Sequence, residues 1–264
     1  MQTILKLSAF LLVILLSSCN DGKVNFFTVD QDIQFGRDVV EEIKANPEQY
    51  PILDRNEFPE AYAHIERVRD NILKSSQLRY ADRFDWDVYI INDDVLNAFA
   101  LPGGTTFYYT GLIKFLDDEA SLAGVMAHEI AHSDRRHSTN RLTKQYGYSV
   151  LLSFILGNNP SIAAQVAGQL AMGLGTLAFS REDEYEADEY AVRYLSDTDY
   201  DPRGVAYFFI KMDPDETPKA MTYLSTHPSP LDRIEKIMQN HVKYGGKEGD
   251  RFESRYQDFK NSLP

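Results

Sequence analysis

Apolar residues recur at helical spacing in several stretches of the chain. In residues 31–45, Ile33, Val39, Val40 and Ile43 stand among charges, which predicts an amphipathic helix that Asn46-Pro47 ends. Residues 59–78 repeat the pattern, with Ile65, Val68, Ile72 and Leu73 on one stripe. Alternation over Phe84-Asp85-Trp86-Asp87-Val88-Tyr89-Ile90 predicts a strand. Pro102-Gly103-Gly104 marks a turn, and Thr105-Thr106-Phe107-Tyr108-Tyr109 a second strand. Residues 118–132 predict a helix with an acidic first turn. Two apolar helices are expected over 141–156 and 162–179, separated by Gly157-Asn158-Asn159-Pro160, and another over 181–195. Asp201-Pro202 and Ser229-Pro230 each set a capping side chain before a proline at the first helical position, the second opening a helix over 231–241. Gly245, Gly246 and Gly249 loosen the tail, and residues 252–264 carry no readable function. Helices outnumber strands, so the expected fold class is α+β, mostly helical, with a small edge β-sheet or hairpin.

Two stretches bear on membranes. Residues 162–179 are uncharged, but Gln165, Gln169 and a high content of Ala and Gly favour a helix buried in protein over a membrane span. At the N-terminus, Lys6 precedes the apolar run Leu11-Leu12-Val13-Ile14-Leu15-Leu16, which is too short to span a bilayer and fits a secretory signal. The sole cysteine stands where that pattern ends, in Leu16-Ser17-Ser18-Cys19, and the segment resembles the lipobox of bacterial lipoproteins. The expected organisation is a lipoprotein signal peptide over 1–18, a lipidated tether over 19–29 and a single domain over 30–264. Acylation at Cys19 would attach the protein to a membrane without a spanning helix. Asn20 after the cysteine points to the outer membrane of the bacterial envelope, facing the periplasm.

Composition narrows the chemistry. Of 264 residues, 43% are hydrophobic and 25% charged, which excludes a disordered, collagenous or coiled-coil chain. Lys and Arg number 27 against 40 Asp and Glu, a formal charge of −13 that phosphate backbones repel, so no nucleic-acid partner is expected. One cysteine allows neither a disulfide framework nor a thiolate metal cluster. A metal site would have to use His, Asp and Glu.

Such a set exists. His128-Glu129-Ile130-Ala131-His132 lies in the helix predicted over 118–132. Residues four apart on a helix are about 40° apart in rotation and share a face, so two imidazoles can reach one tetrahedral metal while Glu129 reaches its water. This is the H-E-x-x-H pattern. The preceding Leu122, Ala123, Gly124, Val125, Met126 and Ala127 are small or apolar, and paired histidines on a buried helix need a reason. Three residues are candidates for a third ligand. His137 does not follow the metzincin spacing, Arg and Ser standing at 135 and 138. Asp134 is near the end of the same helix. Glu184, in Arg181-Glu182-Asp183-Glu184-Tyr185-Glu186-Ala187-Asp188, shares a face with Asp188, which could accept a hydrogen bond from a ligand imidazole and set its tautomer. A solvated acidic face is the ordinary meaning of such a run, but beside the first motif the ligand reading is preferred.

With these residues in hand, the sequence resembles the gluzincin peptidases of the HtpX and BepA type, related to CAAX prenyl proteases. H-E-x-x-H followed by E-x-x-A-D matches His128, Glu129, His132, Glu184, Ala187 and Asp188. Asn97-Ala98-Phe99-Ala100-Leu101-Pro102-Gly103-Gly104 is similar to the strand-turn segment before the family's zinc helix, and Thr226-His227-Pro228 with Arg233 to its late His-Pro motif. The likeness covers about residues 30–240. The transmembrane helices of HtpX and the helical-repeat tail of BepA have no counterpart in it.

The resemblance implies a zincin-like peptidase domain holding a single Zn2+ through His128, His132 and Glu184, with Glu129 as general base and Asp188 behind a ligand. It implies polypeptide substrates, while substrate or partner roles tied to the HtpX and BepA parts without a counterpart are not carried over. His227 is the candidate partner for the oxyanion; in BepA-like relatives the matching histidine is implied to close the site as a further ligand. Arg233 either orients that loop or is an ordinary helix charge. The strand at 105–110 is expected to receive an extended substrate by β-augmentation, which would make recognition depend on backbone and favour unfolded or misassembled envelope proteins, a protein quality-control role. Two competing expectations are a lipoprotein chaperone or assembly factor using a latent groove, and a structural zinc domain with His227 as permanent fourth ligand.

Overall fold

The computed structural model describes residues 19–20, 23–145, 178–212, 220–228 and 232–264. Strands β1 (Cys19–Asn20) and β2 (Lys23–Val24) form a minimal antiparallel hairpin. Helix α1 (Val29–Lys44) begins with a capping box: Thr28 Oγ accepts from Gln31 N, and the Gln31 side chain accepts from Thr28 N. Its apolar face buries Phe35, Val39, Val40 and Ile43. Asn25 and Phe27, assigned from sequence to the tether, are also buried, so the packed body starts before residue 30. Helix α2 (Pro59–Ile72) carries proline in its first turn.

Strands β3 (Val88–Ile91), β4 (Ala98–Ala100) and β5 (Thr106–Tyr109) form a sheet in the order β3-β5-β4, parallel and then antiparallel. The expected strand over 84–90 is confined to its second half because Trp86 takes a left-handed φ of 47° and turns its indole N–H to the carbonyls of Tyr80 and Ala81. β5 is the central strand. Both its edges are paired, so it cannot accept a substrate strand as the sequence led us to expect.

Helix α3 (Thr110–Phe115) leads to α4 (Glu119–Asp134), every residue of which is buried. Asp118 caps α4, its Oδ1 accepting from Ser121 N at 2.7 Å. Helices α5 (Arg181–Ser196) and α6 (Gly204–Lys211) pack on it. α6 starts later than Asp201-Pro202, because Asp201 accepts from Arg203 N in a turn that precedes the helix. At the α4–α6 crossing the backbones touch. A Cβ on Gly124 would lie 2.3 Å from Gly204 C, and one on Gly204 would lie 2.1 Å from Ala120 O. Only glycine permits this approach.

Helices α7 (Ala220–Thr226), α8 (Arg233–Lys243) and α9 (Glu253–Asn261) complete the described chain. The tail is not loose. Gly245 and Gly246 make a positive-φ turn, and α9 buries Tyr256 and Phe259 in the main core. Arg251 O accepts from Glu119 N at 3.0 Å and Ala120 N at 3.2 Å, so the tail satisfies two of the orphan donors at the start of α4. Glu119 itself is held by Arg67, Arg255 and Tyr200. Among the described residues no helix is long and apolar enough to cross a membrane. Most of the helices expected over 141–156 and 162–179 lie outside the described residues.

Candidate metal centre

α4 presents His128 and His132 one turn apart, with Glu129 next to the first, and α5 presents Glu184 and Asp188 one turn apart; packed together, the helices turn these faces toward each other. His132 Nε2 lies 3.0 Å from His128 Nε2. Glu184 carboxylate oxygens lie 3.5 Å from each of those nitrogens. His227, one residue beyond α7, brings Nδ1 to 3.3 Å from His128 Nε2 and 3.1 Å from Glu184 Oε1. All four side chains are buried.

Donors around a tetrahedral zinc at about 2.0–2.1 Å are separated by about 3.3–3.4 Å. The observed separations of 3.0–3.5 Å are close to those edges. Three imidazole nitrogens and a carboxylate, apolar-walled and mutually facing, form a donor set that fits zinc.

Glu129 supplies the second observation. Its side chain is fully buried, and among the described residues neither carboxylate oxygen has a hydrogen-bond partner; His227 Nε2 lies 3.5 Å from Oε1. Burial drives its pKa up, against the opposing pull of His227 and His128. A buried carboxylate with so little hydrogen bonding around it is costly and is poised to take a proton.

Behind the ligands lies an ion-pair lock. Asp188 Oδ1 is 2.9 Å from His128 Nδ1. Arg233, fully buried, donates from Nε and Nη2 to the two oxygens of Asp188 at 2.7 Å each, and its Nη1 is 2.7 Å from Glu184 Oε2. Its guanidinium also lies over the Phe209 ring, and Nη1 donates to Pro228 O at 3.3 Å, beside His227. Arg233 is therefore no ordinary helix charge. Burial opposes ionisation of Asp188, but Arg233 and His128 hold its pKa below the usual carboxylate range. Burial likewise works against the His128 imidazolium, yet Asp188 and Glu184 raise its pKa to about 9. His132 goes the other way: burial and then the charge on His128 depress it.

The other sequence candidates fall outside the donor set. Asp134 faces away and accepts from Arg79 N, Tyr80 N and Tyr194 Oη at 2.8–2.9 Å. His137 is behind His132, not beside the donors, with 2.9 Å between their Nδ1 atoms. Sequence reasoning did not reach two aromatic walls. Phe179 stacks on His132 with centroids 4.0 Å apart, and Tyr223 on His227 at 4.6 Å. Tyr223 lies four residues before His227 in the α7 segment, and this helical spacing is the signal that could have found it.

A mostly helical α+β domain with an H-E-x-x-H helix, a glutamate from a second helix and a small sheet alongside has the architecture of a gluzincin-type metallopeptidase. The chain belongs to Peptidase family M48, whose sequence profile matches residues 59–241. It is 32% identical over 176 residues to the mitochondrial metalloendopeptidase OMA1 of Schizosaccharomyces pombe, covering 66% of this chain and 51% of that protein. It is 31% identical over 158 residues to the beta-barrel assembly-enhancing protease of Escherichia coli K12, covering 55% and 32% respectively. A putative beta-barrel assembly-enhancing protease of Vibrio cholerae is 29% identical over 220 residues, 78% of this chain and 43% of that one. The chain thus spans about half or less of the length of these curated relatives.

Proposed function

We propose that the protein is a zinc-dependent endopeptidase that hydrolyses unfolded or misassembled polypeptides of the bacterial envelope. The observation that carries the reading is Glu129, a buried carboxylate with no hydrogen-bond partner among the described residues, set one residue from His128 in a zinc-compatible donor set. Zinc held by His128, His132 and Glu184 would supply Lewis acidity for the scissile carbonyl and lower the pKa of an attacking water. Glu129 takes the proton of that water and returns it to the leaving amine, its raised pKa bringing it closer to neutrality as a base. Asp188 and Arg233 hold His128 and Glu184 in place. The envelope location rests on the signal-like N-terminus and Cys19, with acylation as the membrane attachment. The words "beta-barrel assembly-enhancing" in relatives' names fit such a location; OMA1, by its name, is mitochondrial.

A second reading has its own support. His227 Nδ1 is as near to the donor set as the three other members are to one another. That favours a closed, latent state in which the protein serves as a chaperone or assembly factor until His227 withdraws. Once withdrawn, the same imidazole can face the charge that develops on the carbonyl oxygen.

Zinc content and casein cleavage of the wild type and Glu129→Gln test both readings. The peptidase reading expects about one zinc in each and cleavage by the wild type alone. Cleavage retained in Glu129→Gln would refute the role of Glu129, and no zinc in either protein would refute the metal site. If zinc is present and neither cleaves, His227→Ala separates the cases, since release of a latent enzyme raises cleavage and loss of charge stabilisation does not.

A further inference from the structure

His137 lies outside the donor set yet is fully buried, with His132, Glu186 and Asp183 near its two ring nitrogens and the Phe179 ring 6.3 Å away. α4 ends at Asp134 with Arg135 as its C-cap, and Arg136 takes a left-handed φ of 59° before the helical residues 137–145 begin. Arg136 is held in that conformation by Asp32 of α1 and by the carbonyl of Phe27. On an unbroken helix, five residues on from His132 would lie about 140° around the axis and face elsewhere. The turn instead brings His137 back so that its Nδ1 faces His132 Nδ1 at 2.9 Å.

Two ring nitrogens at that distance share one proton. His132 turns Nε2 to the donor set, so a neutral His132 carries its hydrogen on Nδ1 and His137 Nδ1 must accept it. The hydrogen of His137 then sits on Nε2, and that atom faces acid: Glu186 Oε2 at 3.4 Å and Asp183 Oδ1 at 3.8 Å. The acids are anchored in turn. Arg135 Nε donates to Glu186 Oε1 at 2.7 Å, and Ser180 Oγ donates to Asp183 Oδ2 at 2.8 Å.

We propose that His137 is a positioning residue for the metal ligand His132: it accepts the Nδ1 hydrogen of His132 while Glu186 and Asp183 fix its own tautomer. His128 has Asp188 directly behind it, whereas His132 reaches its carboxylates through a second imidazole. The proposal rests on the reading of His128, His132 and Glu184 as metal ligands. His137, Asp183 and Glu186 also lie close enough to form a cation site of their own. The relay is favoured over that because His137 Nδ1 already meets His132 and the Arg135 guanidinium occupies Glu186.

The test is the zinc dissociation constant, measured by competition with a chelator, of the full chain and three variants: His132→Ala, His137→Phe and His137→Gln. Phe keeps the ring volume but cannot accept a hydrogen bond; the Gln amide can accept from His132 and donate onward. The relay predicts about 10–100-fold weaker zinc binding in His137→Phe and recovery of most of it in His137→Gln. Replacing Asp183 and Glu186 together by Asn and Gln, which leaves the buried ring intact, should weaken zinc several-fold, and this holds the proposal to account if His137→Phe does not fold. Wild-type affinity in His137→Phe, or in the double variant if His137→Phe does not fold, overturns the relay alone. A second zinc per chain that His137→Phe abolishes overturns it in favour of a separate site. Failure of the wild type to bind zinc, or unchanged binding in His132→Ala, overturns the ligand assignment beneath it.

Discussion

Replacing Arg233 by Met removes a cation that three groups share: both oxygens of Asp188, Glu184 Oε2 and the carbonyl of Pro228. Arg233, Asp188 and Glu184 are each at most 1% exposed, so solvent screens little of the interaction. Removing one partner of such a buried pair costs about 3–5 kcal/mol, because the other charge stays behind. An independent estimate agrees. A stranded Asp188 escapes by taking a proton, and at pH 7 that costs about 4 kcal/mol for a group whose ordinary pKa is about 3.9. In metal-free protein His128, with its pKa raised to about 9, remains charged at pH 7 and offsets part of the loss. We therefore expect Arg233→Met to lose about 3 kcal/mol, the lower end of the range. Urea unfolding in the presence of EDTA, at unchanged m-value, reads this directly. Arg233→Lys should recover part of it, since a lysine keeps the charge but cannot span both Asp188 oxygens. A metal-free Arg233→Met protein within about 1 kcal/mol of wild type would refute the lock, being no more than a surface ion pair is worth.

Three further outcomes follow from the packing. Gly124→Ala would drive a methyl group into the Gly204 backbone, and urea unfolding should show a loss of about 1–3 kcal/mol or more, with weakened zinc binding as α4 shifts; unchanged stability would show that the crossing is loose. Phe259→Ala empties a fully buried ring site in α9 and should cost about 3–5 kcal/mol by the same assay, whereas a dispensable tail would lose little. Burial acts against ionisation of Glu119, but hydrogen bonds from Arg67, Arg255 and Tyr200 hold its pKa below the ordinary carboxylate value. Its contribution is thus complete above about pH 4.3 and disappears as pH falls through the lower folded-state value. The stability gap between wild type and Glu119→Gln should be constant from pH 7 to 5 and shrink below about pH 4; a gap that does not change with pH would count against the clamp.

Most of the donor set was legible because its information is local. H-E-x-x-H and the Glu184–Asp188 pair are each one helical turn, and a turn is readable from spacing alone. That α4 and α5 face each other is not a local property, and came instead from the likeness to a family. Arg233 was ambiguous because an arginine in a charged helix reads as solvated; only the fold shows it enclosed by two carboxylates and Phe209. His137 fails the metzincin spacing and is no ligand; its place behind His132 was not legible, because it depends on the left-handed Arg136, a residue type that carries no turn signal. β4 is three residues, too short for alternation to register. α9 buries only Tyr256 and Phe259 among polar neighbours, too few positions to reveal a helical face.

The contact between Arg251 and the start of α4 sets an order of events. The ligand helix lies mid-chain, yet the acceptor for its first amide groups and the second arginine on Glu119 come from residues 251 and 255. A ribosome delivers those residues well after His128, Glu129 and His132. A chain still being made therefore carries the metal motif, and its Asp118 cap, before the Arg251 acceptor exists. The N-terminal end of the ligand helix is therefore closed by chain made more than a hundred residues after it, and its first amide groups find these acceptors only when the segment leading into α9 is in place.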